Sequence, residues 1–233
     1  HLGRFPSGKE FAKEEDLKSL FSSRKKLQSA LLDYFSDEDL KRSEQDRRED
    51  ITLVHAMSIF SGRQVFRHLP DSLQNDIRYF FSSFTALQNS AKELLFNMAD
   101  TQKLQHQVEK FISTERPNFY EDHKSLTVHK EFITQLPIML RSYIGAAQQL
   151  YGDLDLIDLV KIHIHTGKVS FMGYDGFEEK PIPMLRERIK VNLWKLRVGY
   201  FDYVDEYQPT PLYWKSKFID EAFECFKKQK SFD

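Results

Sequence analysis

The residues with the clearest chemical potential lie in the stretch KIHIHTGKVSF, residues 161–171. It alternates polar and apolar residues as a β-strand does, and His163 and His165 then share one face at a spacing that can chelate zinc. Lysine, histidine and serine side chains on that face also donate hydrogen bonds that phosphate oxygens accept. Three interpretations stand at this point: a metal site, an anion-binding surface, and a solvated hairpin that binds nothing.

The metal interpretation is the weaker of the two binding hypotheses. The His163–His165 pair needs a third ligand, and the flanking Lys161 and Lys168 raise the electrostatic cost of placing a dication there. Three nearby aspartates precede the strand and are expected to cap its entrance; they are Asp153, Asp155 and Asp158. The sequence therefore favours an anion site and predicts no bound metal.

Thr166-Gly167 is the kind of dipeptide that joins two strands in a tight hairpin. With these two residues as the whole turn, the cross-strand pairs would be His165 with Lys168, His163 with Ser170, and Lys161 with Met172. Alternation then leaves one apolar face for packing and one polar face rich in nitrogen.

A second hairpin is predicted from RIKVNL (188–193) and LRVGYF (196–201), joined by Trp194-Lys195. Its polar face would carry Arg188, Lys190, Asn192 and Arg197. The two polar faces together form a candidate phosphate-binding surface. The residues chosen as phosphate contacts are Lys161, His163, Lys168, Ser170, Lys190 and Arg197.

Helical hydrophobic periodicity dominates the chain before residue 151. The predicted helices cover residues 12–35, 37–60, 71–100, 102–113 and 128–150, with Ser36 as an N-cap and a kink or break at Pro137. The predicted fold is therefore α+β: a helical part (1–150, about five helices), then a small antiparallel sheet of two hairpins and a C-terminal helix from about Lys215 (151–233). The two regions are expected to form one compact unit.

Composition limits the classes of partner. Across 233 residues, 34 Lys and Arg balance 35 Asp and Glu, so any nucleic-acid contact must come from a local patch. The single cysteine, Cys225, fits a reducing cytoplasm, and the chain has no apolar run long enough to cross a membrane and no signal peptide. The chain opens without methionine, which predicts a piece of a longer protein.

Recognisable catalytic motifs are missing from the sequence. No glycine-rich phosphate loop follows a strand, so neither a nucleotide nor a methyl-donor site is predicted. Glu178-Glu179-Lys180 has the order of a nuclease Glu-x-Lys motif, but the prolines that follow prevent a position in mid-strand. Cys225 has no nearby histidine in sequence to activate it.

Short segments across the chain nevertheless resemble one protein family, the predicted methyltransferases associated with DNA phosphorothioation. The C-terminal segments are Lys161-x-His163, Lys168-Val169-Ser170-Phe171, Tyr174, Phe177, Pro183-x-Leu185 and Lys190-Val191-x-Leu193. Earlier ones are Arg48-Glu49-Asp50, Asp76-Ile77-Arg78, Leu94-Leu95-Phe96, Val128-His129 and Leu140-Arg141-x-Tyr143. The resemblance spans residues 10–220; His163, Lys168 and Ser170 belong to it and His165 does not.

The resemblance implies a bacterial, cytoplasmic protein of a DNA modification or defence system, in which sulfur replaces a phosphate oxygen of DNA. In that family the methyl-donor site lies in a preceding N-terminal domain, so this chain is expected to bind S-adenosylmethionine only with such a domain. The natural anion is then DNA backbone, phosphorothioated or not. We therefore expect an accessory module that contacts DNA through its basic sheet face.

Two alternatives belong to other functional classes. One is a protein–protein docking module for a methyltransferase or a sulfur-modification subunit, using Trp194, Tyr213 and Trp214. The other is a metal-independent phosphodiesterase, with His163 as acid or base and Lys168 as charge stabiliser.

Overall fold

The computed structural model describes residues 2–6, 10, 20–62 and 64–233. They divide between two compact units, His1–Glu93 and Leu94–Asp233. The described α-helices are α1 (Arg24–Tyr34), α2 (Asp37–Ser58), α3 (Asp71–Phe81), α4 (Phe84–Asn97), α5 (Thr101–Ile112), α6 (Ile138–Tyr151) and α7 (Phe226–Phe232). Short 3-10 helices cover Ile59–Ser61, Phe66–His68, Lys130–Gln135 and Lys215–Phe218.

The first unit is helical where it is described. Ser36 caps α2 as predicted, because its side chain accepts the backbone N–H of Asp39. A fully buried carboxylate, Asp76 of α3, is held by ion pairs from Arg4 and Arg47. A carboxylate can be buried away from water when its oxygens have charged hydrogen-bond donors, and each oxygen of Asp76 accepts from one guanidinium.

Two of the helices predicted before residue 101 differ from the described helices in their limits. The predicted helix at 71–100 is two helices, since Ser82 adopts a left-handed backbone (φ 62°) and Ser83 caps the next helix through the N–H of Ala86. Of the predicted first helix, residues 12–19 lie outside the described residues, and the described helix begins at Arg24.

The second unit is built on one six-stranded antiparallel sheet in which neighbours in sequence are neighbours in space. Its strands are β1 (Phe119–Glu121), β2 (Ser125–His129), β3 (Leu159–His163), β4 (Lys168–Asp175), β5 (Met184–Asn192) and β6 (Arg197–Asp202). The α+β class is thus confirmed, but the predicted two hairpins and five-plus-one helices are wrong.

The sequence predictions missed strands β1 and β2, which have only three and five residues. β2 alternates polar and apolar residues (SLTVH), but this signal is short, and its last two residues coincide with the start of the helix predicted over 128–150. The predicted helix at 128–150 is therefore the end of β2, a 3-10 helix and α6, with Pro137 as the N-cap of α6. The break predicted at Pro137 is present.

One face of the sheet forms the main core of this unit. Its buried side chains are Leu126, Val128, Val160, Ile162, Val169, Phe171, Ile189 and Val191. Helix α6 packs on this face, where Tyr151 stacks on Phe171 with 5.4 Å between ring centres, and α5 packs on α6. Each apolar side chain of this size contributes about 1.5–3 kcal/mol by leaving water.

The C-terminal segment, residues 212–233, covers part of the opposite face. It packs Phe218 and Ile219 against Leu159, Met172 and Tyr174. It is mostly irregular, with one short 3-10 helix and α7, so the long helix predicted from Lys215 is wrong. Among the described residues, no helix combines the length and apolarity needed to cross a membrane.

Lys215 anchors this segment. The side chain is 1% exposed, and Nζ donates to the carbonyls of Phe177 (2.7 Å) and Lys180 (2.8 Å) in the loop between β4 and β5. Gln229 adds a bond to the Pro181 carbonyl in the same loop.

We predict that Lys215→Met lowers the free energy of unfolding of the second unit by about 2–4 kcal/mol, because two carbonyls lose their donor. Urea denaturation followed by circular dichroism measures this change. Lys227→Met, which removes an exposed lysine from α7, is the matched control. Equal stability of the two variants would contradict the anchoring role.

Candidate nucleic-acid interface

The first hairpin has a different turn from the predicted one. His163 pairs with Lys168 and Lys161 with Ser170, so the connection is the four-residue stretch 164–167. Ile164 is fully buried, and its N–H donates to the Lys124 carbonyl just before β2. It lies outside the pairing of β3 with β4, which ends at His163 and Lys168. The predicted register is therefore wrong by two residues, and an even shift leaves every side chain on its predicted face.

The second hairpin has the predicted register. Asn192 pairs with Arg197 and Lys190 with Gly199, while β4 and β5 pair directly between the two hairpins. A bulge opposite Gly173–Tyr174 shifts the register only beyond the polar positions.

The pairing gathers all six predicted residues on one sheet face in two cross-strand rows. One row runs His163, Lys168, Asn192, Arg197, and the next runs Lys161, Ser170, Lys190. Arg188 follows two positions beyond Lys190 on the same strand and face. We call these eight residues the basic face; from β3 to β6 it extends about 15 Å at the usual strand spacing.

Counter-charges are unevenly distributed on the basic face. Glu121 of β1 pairs with Lys161 (3.3 Å), and this contact, after that of Lys124, lowers the pKa of Glu121. In the described part of the chain, no carboxylate forms an ion pair with the other cations of the face, Lys168, Arg188, Lys190 and Arg197. Four cations therefore lie together without internal neutralisation.

Aromatic rings support two of these cations. Nζ of Lys190 lies 4.9 Å from the centre of the Phe201 ring, and the guanidinium of Arg188 lies 5.4 Å from that of Tyr203. A ring face attracts a cation without neutralising it, so these contacts position the two cationic groups and leave their charge in place. Burial first, and then the neighbouring Arg188, lowers the pKa of Lys190.

His163 lies at the centre of this positive field. Nε2 is 3.1 Å from the Ser170 hydroxyl, and Ser170 is itself only 2% exposed. Burial lowers the pKa of His163 to about 4, and the cations around it, beginning with Lys161 and Lys168, lower it in the same direction. The imidazole is therefore neutral at pH 7 and contributes a hydrogen-bonding group but no charge.

The two-histidine metal pair is not formed. His165 lies in the exposed turn, whereas His163 is on the strand. Among residues 2–6, 10, 20–62 and 64–233, no cluster of three or more His, Cys, Asp or Glu side chains has a geometry that could hold a metal ion.

The aromatic residues of the docking alternative lie far apart. Trp194 lies in the turn after β5 and packs on Gly167. Tyr213 and Trp214 lie at the other end of β5, because they follow Pro211, which forms a β-bridge with Met184. Eight residue steps of strand separate the two ends, or about 26 Å. The three rings therefore do not form one patch.

A pKa near 4 also makes His163 a weak proton acceptor at neutral pH, which disfavours the phosphodiesterase role.

The phosphate contacts predicted from the sequence do not include Arg188, nor do they include the two rings, Phe201 and Tyr203, that lie against the cations. Arg188 was placed on the polar face but not among the phosphate contacts, although its position two residues before Lys190 was sufficient to include it. Phe201 and Tyr203 become neighbours of the cations only through the pairing of β5 with β6 and the turn after β6.

Comparison of the chain with protein-family models, with curated protein sequences and with solved structures found no match.

We predict that Lys161→Met raises the pKa of His163, because it removes the largest charge contribution while keeping the aliphatic stem. Imidazole titration by NMR measures the midpoint, expected near 4 in the wild-type protein. Lys110→Met, which removes an exposed lysine of α5, is the control and should leave the midpoint unchanged. The same midpoint in both variants would show that the cations do not act on this ring.

The lowered pKa of His163 also links stability to pH. The unfolded chain binds a proton near pH 6.5 and the folded chain only near 4, so stability is present above pH 6.5 and is lost as pH falls toward 4. We predict that His163→Gln reduces the stability difference between pH 7 and pH 5 by about 1 kcal/mol, after allowance for solvent screening. Urea denaturation at both pH values tests this; an undiminished difference would contradict it.

Proposed function

We propose that the second unit binds the phosphate backbone of DNA through its basic face. The observation that carries the proposal is the set of four cations, Lys168, Arg188, Lys190 and Arg197, that share one face and form no ion pair with a described carboxylate. An uncompensated cluster on an antiparallel sheet favours a polyanionic partner, because each phosphate contact releases condensed counterions.

The contacts belong to the backbone rather than to the bases. The four cations lie on strands β4, β5 and β6 of one sheet face, at the strand spacing of about 4.8 Å. Lysine and arginine on such a surface position a duplex but carry little sequence information. Ser170 and neutral His163 add hydrogen-bonding groups between the charged residues.

We further propose that the chain is an accessory module of a DNA phosphorothioation-linked modification or defence protein. This step rests on the resemblance of segments such as Lys161-x-His163 and Lys168-Val169-Ser170-Phe171 to that family. The activity is binding, and any methyl transfer would belong to a separate domain with its own S-adenosylmethionine site.

We predict that duplex DNA binds with a log–log salt slope of about −3 to −4, corresponding to roughly four phosphate contacts, and that Lys168→Ala makes the slope shallower by about one. Fluorescence anisotropy of a labelled duplex across a salt series measures both. Lys110→Ala is the matched control, since it removes an exposed lysine from α5 outside the basic face. Lack of binding at low salt, or an equal effect of the control, would exclude this interface.

The family assignment has its own test in the same titration. A duplex with one phosphorothioate per strand should bind at least severalfold more tightly than the unmodified duplex of the same sequence. Equal affinities would leave the phosphate interface in place and remove the support for a role in sulfur modification.

A further inference from the structure

A cleft of about 1000 Å³ lies within the second unit, at the end of the sheet opposite the turn between β3 and β4. Its walls come from the 3-10 helix after β2, the loop between β4 and β5, and the C-terminal segment. Six carboxylates line it, against two lysines, Lys130 and Lys228. The carboxylates are those of Glu131, Asp158, Glu178, Glu179, Asp220 and Glu224.

Charge alone makes this an unfavourable place for phosphate. Acidic groups outnumber basic ones by four, and Lys130 is already directed to the carbonyl of Asp155 (3.0 Å). The Asp158 carboxylate is fixed in place, since it accepts the N–H of Tyr174 at 2.7 Å. The field of these carboxylates attracts a cationic ligand, and Asp158 offers it a carboxylate whose position is fixed.

An independent feature of the same cleft is His129, which is 4% exposed. Nδ1 accepts the backbone N–H of Glu131 (3.3 Å), so in the neutral ring the proton resides on Nε2. The ring is wedged between Phe223 and Phe177, with ring centres 4.8 and 5.0 Å away. Nε2–H has no hydrogen-bond partner among the described residues and belongs to a side chain that lines the cleft.

Apolar surface completes the lining. Phe132 and Phe223 line the cleft beside His129, and their ring centres lie 6.1 Å apart. Aromatic rings next to carboxylates bind planar cations well, because the ring faces attract positive charge while the carboxylates pair with the N–H groups. The unpartnered imidazole donor adds a requirement for an acceptor oxygen on the ligand.

We propose that this cleft binds a small organic cation that carries an oxygen acceptor, with a guanidinium or ammonium group directed to the carboxylates and the acceptor directed to Nε2–H of His129. The site is separate from the basic face and opposite to it in charge. A free basic amino acid has both groups at a separation that a cleft of this size accommodates.

The test is calorimetric titration of the full chain with L-arginine and with L-citrulline, which has the same shape but an uncharged urea group. Arginine should bind at least tenfold more tightly than citrulline. The double change Glu178→Gln and Glu179→Gln should weaken arginine binding at least fivefold, while Glu206→Gln, an exposed carboxylate outside the cleft, should not. Equal binding of the two ligands, or no binding of arginine, would overturn the proposal.

A pair of variants tests the histidine separately. His129→Gln keeps a donor where Nε2 stands, whereas His129→Asn keeps an acceptor near Nδ1 and removes the donor to the cleft. Arginine affinity should therefore fall more in His129→Asn than in His129→Gln, with thermal unfolding used to confirm that both are folded. The reverse order would show that the ring acts only as a cap for the 3-10 helix.

Discussion

The backbone pairing of each strand with the next, from β3 through β4 and β5 to β6, is the constraint on which the basic face depends. Because opposite residues in antiparallel strands point to the same side, the registers of three strand pairs place the cations of four strands on one face. The same parity puts Val169, Phe171, Ile189 and Val191 under α6. Burial of that apolar face makes a one-residue slip very costly, so the core fixes the charge pattern on the other side.

The C-terminal segment then divides the polar side of the sheet into two parts. Where Leu159, Met172 and Tyr174 point outward, the segment covers them and builds a second core. Its position depends on Lys215, whose two bonds to loop carbonyls hold the chain against the β4–β5 connection. Beyond its limit the face carries cations, and the segment itself forms one wall of the acidic cleft.

The sequence predicted strands where polar and apolar residues alternate over a long enough stretch. Alternation in residues 160–165, 168–171, 188–193 and 196–201 predicted the four strands β3 to β6 and placed the residues of the basic face on one side, although His165 lies in the turn after β3. The predictions missed β1 and β2, which have only three and five residues although SLTVH alternates. They also missed the break at Ser82, where a serine cap outweighs the helical pattern on both sides. The acidic cleft could not be predicted from the sequence either, because the residues that line it come from distant segments that only the tertiary fold brings together.

Two histidines of the second unit share an electrostatic property but differ in use. His163 and His129 both have a pKa near 4, and burial is the first cause in each case. For His163 the neighbouring lysines add to the effect, so a polyanion bound to the basic face would oppose it and bring the imidazole closer to protonation. For His129 the pKa is lowered first by burial among aromatic rings and then by Lys130, so the imidazole is a neutral donor. Opposite charge at the two ends of one sheet face would keep a nucleic acid at the basic end and leave the cleft to a cation.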